Sequence, residues 1–281
     1  MDTTITLPPA DPDLQADPRL RQGPDPATRD RPCTIDTTPV ASPPSRIRLW
    51  DLPTRLFHWG LVAAVSVAVA TGWAGGDWMR VHGIAGLTIA GLVVFRVVWG
   101  FVGSTHSRFS RFAPTPRRVL TYLRGRWTGV GHNPLGAASV FLMLGLLAAQ
   151  VGTGLFGNDD IAYTGPLAGR VDDGLSLWLT GLHRQLAWAL LAFLALHVLA
   201  IAFHAVVKKD DLLRPMVTGY KETPRGESTR GGGWLALLTA LAAAGAAVAL
   251  ASGATWPQSG AAPLAKPPAV HPQQEAAPPA W

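Results

Sequence analysis

A single cysteine, Cys33, stands among 281 residues. One thiol excludes an internal disulfide, an all-cysteine zinc site and a thiolate-held iron–sulfur cluster. No Cys-x-x-Cys-His occurs, which excludes covalent attachment of a c-type haem. Charge is also scarce: Asp, Glu, Lys and Arg supply 15% of the chain, against about a quarter in an ordinary soluble domain. Residues 1–45 contain no aromatic ring and no apolar core of the kind a cleavable signal peptide needs. They are rich in Pro, Asp, Thr and Arg, the composition of a disordered tail. The first apolar run downstream is therefore expected to act as its own insertion signal.

What is abundant is apolar: 48% of the chain is hydrophobic, gathered in runs at 56–73, 81–103, 133–157, 179–207 and 234–253. Each is near or above the roughly 20 residues that cross a bilayer as a helix. None alternates apolar and polar residues, which excludes membrane strands. The formal charge of +6 fits either nucleic acid or a membrane surface. The basic residues lie between apolar runs, so the membrane is favoured and nucleic acid is not expected. Arg46, Arg48 and Arg55 precede the first run. The segment 104–132 holds Arg108, Arg111, Arg117, Arg118, Arg124 and Arg126 and no acid, whereas 158–178 holds Asp159, Asp160, Asp172 and Asp173 against Arg170. Lys208, Lys209, Arg214, Lys221, Arg225 and Arg230 follow the fourth run, partly offset by acids. Alternating spans put every basic segment on one side, and the positive-inside rule makes that side cytoplasmic, with the N-terminus inside. The stretch 254–281, rich in Pro and Ala, is expected to be a disordered periplasmic tail.

Of eight histidines, His58, His82, His183, His197 and His204 fall in or at the ends of these runs, where an ionisable group needs a reason. His183 and His197 are fourteen residues apart on one span. That is close to four helical turns, so both imidazoles share a face, about 21 Å apart along the axis. His58 opens the first span at the cytoplasmic end and His82 opens the second at the periplasmic end. The short 74–80 connection separates these two in depth by about 20–24 Å. The spacings match, pairing His58 with His197 and His82 with His183. Taken singly, each histidine fits a surface position; four at two matched depths do not. Zinc needs its ligands clustered about one tetrahedral centre, whereas two imidazoles per depth in apolar surroundings suit a haem iron.

His204, seven residues beyond His197, has no evident mate and reads as interfacial. His106 and His132 are either solvated or near a quinone or haem edge, and His271 is uninformative. Arg96 lies inside the second span, fourteen residues after His82. A buried guanidinium needs anions, which haem propionates supply; the alternative is snorkelling to the interface. Arg55 and Arg184 are weaker candidates for the same role. Gly60, Gly72, Gly83, Gly86, Gly91, Gly145, Gly152 and Gly154 interrupt the spans, either for helix packing or to admit a flat macrocycle. Trp59, Trp73, Trp78, Trp99 and Trp178 fall at the expected interfaces.

Four segments together resemble the bacterial cytochrome b561 and nickel-hydrogenase cytochrome b family. RLWDLPTRLFHW (48–59) looks like its first-helix signature, and HGIAGLTIAGLVVFRVVWGFVGSTHSRFSRF (82–112) like its second helix and loop. GHNPLGAASVFLMLGLLAAQVGTGLF (131–156) and LHRQLAWALLAFLALHV (182–198) are similar to the third and fourth. The resemblance covers roughly 46–222 and is specific only in combination. It implies a four-helix core holding two b haems, with ligands from helices one, two and four at His58, His82, His183 and His197. It further implies electron exchange between quinone and a c-type cytochrome, a hydrogenase or another dehydrogenase subunit.

The expected fold is all-α: a cytoplasmic tail at 1–45, a four-helix transmembrane di-haem bundle at 46–222, and at 223–281 one further transmembrane helix (about 234–253) with a periplasmic tail. The expected protein is a multi-pass component of the bacterial inner membrane, surrounded by lipid, with two haem b. Quinone is a further expected ligand. The competing readings are a membrane anchor for a periplasmic hydrogenase or dehydrogenase, and a non-redox scaffold or transporter. Whether quinol oxidation or quinone reduction is catalysed stays open.

Overall fold

The computed structural model describes residues 45–127, 131–160, 163–223 and 227–255; the two expected tails lie outside this range apart from Ser45, Ala254 and Thr255. Within it, β1 (Ser45–Arg48) leads into α1 (Leu52–Ala74), and a 3-10 turn at Gly76–Trp78 returns the chain into α2 (Met79–Val102). Two short helices follow, α3 (Phe109–Phe112) and α4 (Pro116–Leu123), then α5 (Pro134–Leu155) and α6 (Asp173–Val206). The chain closes with α7 (Leu213–Thr218), β2 (Tyr220–Thr223) and α8 (Trp234–Ala251). Among the described residues, five helices are long and apolar enough to cross a membrane: α1, α2 with its preceding turn, α5, α6 and α8. The protein is an all-α, multi-pass membrane protein, and its spans begin and end within a few residues of the apolar runs.

The helix starts are chemically marked. Asp51 Oδ1 accepts from Thr54 N at 2.7 Å before α1, Asn133 Oδ1 from Gly136 N at 2.7 Å before α5, and Asp172 Oδ1 from Leu175 N at 3.0 Å before α6. Each satisfies an otherwise orphaned amide. α6 is 34 residues long, about 51 Å, and exceeds the roughly 30 Å hydrocarbon core. Its outward residues Leu196, Leu199, Phe203 and Val206 are exposed, as lipid-facing side chains are.

α2 is the central helix. It packs along α1 and α8 and touches α5, while α5 packs along α6. α8 lies close because Gly91 clears its path: a Cβ there would sit 2.8 Å from Val248 Cγ2. The fifth span is therefore packed onto the bundle through α2. α1 and α6, by contrast, approach each other closely at few backbone points.

Short polar elements on the basic side tie α1 to α6. β1 and β2 pair antiparallel, Ser45 opposite Thr223 through Arg48 opposite Tyr220. The all-α expectation did not include this two-stranded sheet. Leu49 N and Trp50 N both donate to Gly219 O, at 2.8 and 3.2 Å. Gly219 has φ 89°, a conformation other residues adopt with difficulty. Arg55 Nη1 donates to Val217 O at 2.6 Å, and Trp59 Nε1 to Met216 O at 3.3 Å.

Asp51 is the hub of this end. Besides capping α1, its Oδ2 accepts from Trp99 Nε1 and Ser107 Oγ, each at 3.1 Å. Ser107 Oγ, its proton so committed, accepts from Thr54 Oγ1 at 2.7 Å and Ser104 Oγ at 3.0 Å. Replacing Asp51 with Ala removes a cap worth about 1 kcal/mol and strands buried donors at about 1–3 kcal/mol each. Thermal unfolding of the full chain in detergent is expected to show Asp51→Ala destabilised by about 3 kcal/mol and Asp51→Asn by less. An unchanged melting curve for Asp51→Ala contradicts the hub.

Candidate functional site

At the acidic end of the bundle, α2 and α6 bring His82 and His183 together. Their ring centroids lie 6.1 Å apart with planes at 83°. His82 Nδ1 is 2.8 Å from Ala68 O, and His183 Nδ1 is 2.9 Å from Gln150 O. A carbonyl only accepts, so each proton sits on Nδ1 and each Nε2 carries the free lone pair. The group engaging the His183 lone pair is the Gln150 side-chain amide, whose Nε2 is 3.1 Å from His183 Nε2.

Both carbonyls belong to helices, where the side chain one turn onward covers them. In both cases that residue, four positions on, is glycine. A Cβ on Gly72 would lie 3.0 Å from the His82 ring, and one on Gly154 2.9 Å from the His183 ring. The residue before each glycine is threonine. Thr71 Oγ1 bonds back to Val67 O at 2.6 Å, and Thr153 Oγ1 to Ala149 O at 2.8 Å. Thr153 Oγ1 also lies 3.2 Å from His183 Nδ1. Thr-Gly in α1 cradles the first histidine of α2, and Thr-Gly in α5 cradles that of α6. The sequence reads these glycines as helix packing or room for a macrocycle; the structure adds their contact with the histidine rings, for which the repeated Thr-Gly pair is the available signal. Sequence reasoning missed Tyr163, whose hydroxyl would lie 2.6 Å from a Cβ on Gly83. That contact places the Tyr163 side chain over α2 beside His82.

At the basic end, His58 and His197 are both half-buried and within electrostatic reach of each other. His58 packs edge-on against Trp59, centroids 5.1 Å apart, and its Nδ1 is buried without a hydrogen-bond partner. Fourteen residues of α6 separate this pair from the other by about 21 Å. His204 is half-buried on the same helix, its Nδ1 also unpartnered.

The three arginines meet different fates. Arg96 is 3% exposed, so it does not snorkel. Its Nη1 donates to Ser107 O at 3.2 Å, and its guanidinium lies 4.7 Å from the Phe109 ring centroid. These contacts fasten the 104–112 segment to α2. Arg55 clamps α7 and keeps a buried, unpartnered Nε. Arg184 is exposed beside His183, and its charge acts on that imidazole.

His132 is half-buried rather than freely solvated. Its ring is wedged between Trp50 and Phe112, centroids at 4.7 and 4.5 Å, with Nδ1 buried and unpartnered. Burial first, then the charges of Arg96 and His106, pushes its pKa down from 6.5 to about 3. His106 is also lowered, by burial and Arg111, against an opposing pull from Glu227.

As donors, the His82–His183 pair fits a six-coordinate haem iron. Imidazole nitrogens stand about 2 Å from a bound metal, so two rings on opposite sides of one iron have centroids about 6 Å apart. Each Nδ1–H held by a carbonyl is the outer-shell bond that orients such a ligand. Among the described residues no three His, Cys, Asp or Glu side chains gather as a zinc site requires.

The family described as prokaryotic cytochrome b561 matches residues 49–219, a segment holding all four histidines and ending before α8. The chain is 25% identical over 216 residues to a probable Ni/Fe-hydrogenase B-type cytochrome subunit of Azotobacter chroococcum mcd 1, covering 62% of this chain and 88% of that one. It is 23% identical over 212 residues to a probable Ni/Fe-hydrogenase 1 B-type cytochrome subunit of Escherichia coli (strain K12), covering 62% and 89%. A corresponding subunit of Rhodobacter capsulatus is 23% identical over 218 residues, covering 62% and 81%. No solved structure matches.

His132 carries a pH consequence. Its folded pKa lies below the unfolded one, so its neutral form stabilises the fold above pH 6.5 and that contribution is lost as pH falls toward about 3. The loss is about 1.4 kcal/mol per pH unit within that window. Melting curves at pH 7 and pH 5 are expected to differ less for His132→Phe than for the natural chain. An equal difference contradicts the burial of His132.

Proposed function

The chain belongs to the prokaryotic cytochrome b561 family and is a transmembrane electron-transfer cytochrome b; we propose that it works through two b haems stacked along α6. One is held by His82 and His183, the other by His58 and His197. The observation that carries this reading is the acidic-end pair: two imidazoles 6.1 Å apart with both Nδ1 atoms fastened to carbonyls.

Haem iron supplies reversible one-electron chemistry when bound. The chain supplies everything else. The Nδ1 bonds fix the tautomer, point Nε2 inward and raise its basicity. Gly72 and Gly154 let those bonds form. Gln150 gives up its contact with His183 Nε2 by rotating a flexible side chain. Arg184 at one depth, and at the other Arg55 with those Arg96 N–H groups not engaged by Ser107, are the cations available to haem carboxylates. The roughly 21 Å between the pairs spans most of the hydrocarbon core, so electrons cross by passing between two fixed depths.

By the positive-inside rule, the basic end carrying β1, β2, α3, α4 and α7 faces the cytoplasm of a bacterial inner membrane, and the His82–His183 end faces the periplasm. Electrons pass between the quinone pool and a redox partner protein, a c-type cytochrome or a dehydrogenase. A second reading makes the chain the membrane anchor of a hydrogenase, as the names of its relatives favour. Gentle purification that retains a hydrogenase supports the anchor over a free carrier.

Single substitutions test the pairs. The natural chain is expected to hold two haems, and His82→Ala or His183→Ala to hold one, that of the basic end. His58→Ala or His197→Ala should keep the other. Haem-to-protein ratios with reduced-minus-oxidised spectra read this out, and a normal spectrum for His197→Ala overturns the basic-end pairing and points to His204. Gly154→Leu, which touches no iron, is expected to mimic His183→Ala; retention of both haems contradicts the cradle.

A further inference from the structure

α4 is built for a different contact. Over its eight residues, Val119, Leu120 and Leu123 project to one side at helical spacing. Arg117, Arg118 and Thr121 project to the other, joined by Arg124 at the C-cap. Leu120 and Leu123 are 47% and 65% exposed, so the protein does not cover the apolar face. Arg118 is committed internally, its Nη1 donating to Arg111 O at 3.3 Å and Ala113 O at 3.1 Å. The side chains of Arg117, Arg124 and Arg126 are exposed and make no hydrogen bond or ion pair with any described residue.

The place of α4 in the chain decides what this surface meets. It is tethered between the end of α2 at Val102 and the start of α5 at Pro134, two spans that leave the bilayer on the same side. It touches α5 and so lies at the level where spans emerge. A short helix there, with bare leucines on one face and unpaired arginines on the other, has the build of an interfacial helix. The segment 104–132 contains no acid, so its charge is not neutralised locally.

We propose that α4 lies in the membrane interface and, with Arg126, forms a binding site for anionic phospholipid headgroups. Leu120 and Leu123 enter the acyl boundary, while Arg117, Arg124 and Arg126 engage phosphate. The partner is recognised by its net negative headgroup, since zwitterionic lipid offers the same acyl chains without the charge. This site lies apart from the histidine pairs and does not depend on haem.

The test uses the full chain in nanodiscs of phosphatidylcholine alone or of an equal mixture with phosphatidylglycerol. Lipid retained after purification from the mixture, measured by mass spectrometry, is expected to be enriched in phosphatidylglycerol. The triple variant Arg117→Gln, Arg124→Gln, Arg126→Gln should bring retention of the two lipids close to equal, each arginine contributing roughly fivefold. Amides of 117–123 should exchange more slowly in the mixture than in phosphatidylcholine. Equal retention of the two lipids by the natural chain, or enrichment unaltered in the triple variant, overturns the site. Slowing of these amides only on adding a soluble acidic protein also overturns it, in favour of a protein partner. Should the triple variant fail to fold, the natural chain decides: enrichment that survives molar salt is not headgroup electrostatics, and the proposal falls.

Discussion

Two backbone carbonyls, those of Ala68 and Gln150, each hold an imidazole from the next membrane-spanning helix by its Nδ1. The rest of the site follows from this bond. A carbonyl inside a helix is already committed to the amide four residues on, and the side chain there normally shields it. Where that residue is glycine, a second donor can reach the oxygen from outside without meeting a Cβ. Gly72 and Gly154 meet this condition, and the threonine before each turns its hydroxyl back onto its own helix. The protein builds the device twice, once between α1 and α2 and once between α5 and α6, and the two copies bring their histidine rings within 6.1 Å of each other, near-perpendicular.

The opposite end solves the complementary problem of keeping α1 and α6 aligned without closing them together. No side chain bridges His58 and His197 directly by a hydrogen bond among the described residues. Their register is set from outside the bilayer by the β1–β2 pair, by Gly219 receiving two amides, and by the Arg55 and Trp59 bonds to α7. Asp51 anchors the same region to α2 through Trp99 and to the following loop through Ser107. A polar network thus supplements the sparse backbone approach of α1 and α6, which otherwise meet through side chains such as Trp73 and Trp188, ring centroids 6.4 Å apart.

Much of this was legible beforehand. Span positions follow from length and apolar content alone, because a bilayer imposes one dimension on every crossing. The face shared by His183 and His197 follows from helical repeat, since fourteen residues are nearly four turns. What was not legible required the third dimension. The short strands carry no periodic signal at four residues each. Arg96 reads the same in sequence whether it meets an anion, reaches water or stacks on Phe109; only the fold of the 104–112 loop decides. His132 sits in a basic loop, yet Trp50 from a distant segment closes over it. The glycines were visible, but their pairing with carbonyls on the preceding turn depends on where the next helix lands.

The central claim is that one long helix carries two histidine-ligated irons at opposite membrane depths. Low-temperature paramagnetic resonance of the oxidised, full-length protein, with spins counted per chain, addresses it most directly. The account predicts two low-spin ferric centres per chain, one of them with the strong anisotropy of near-perpendicular imidazole planes. A single low-spin centre per chain, or a high-spin signal from either iron, would contradict it.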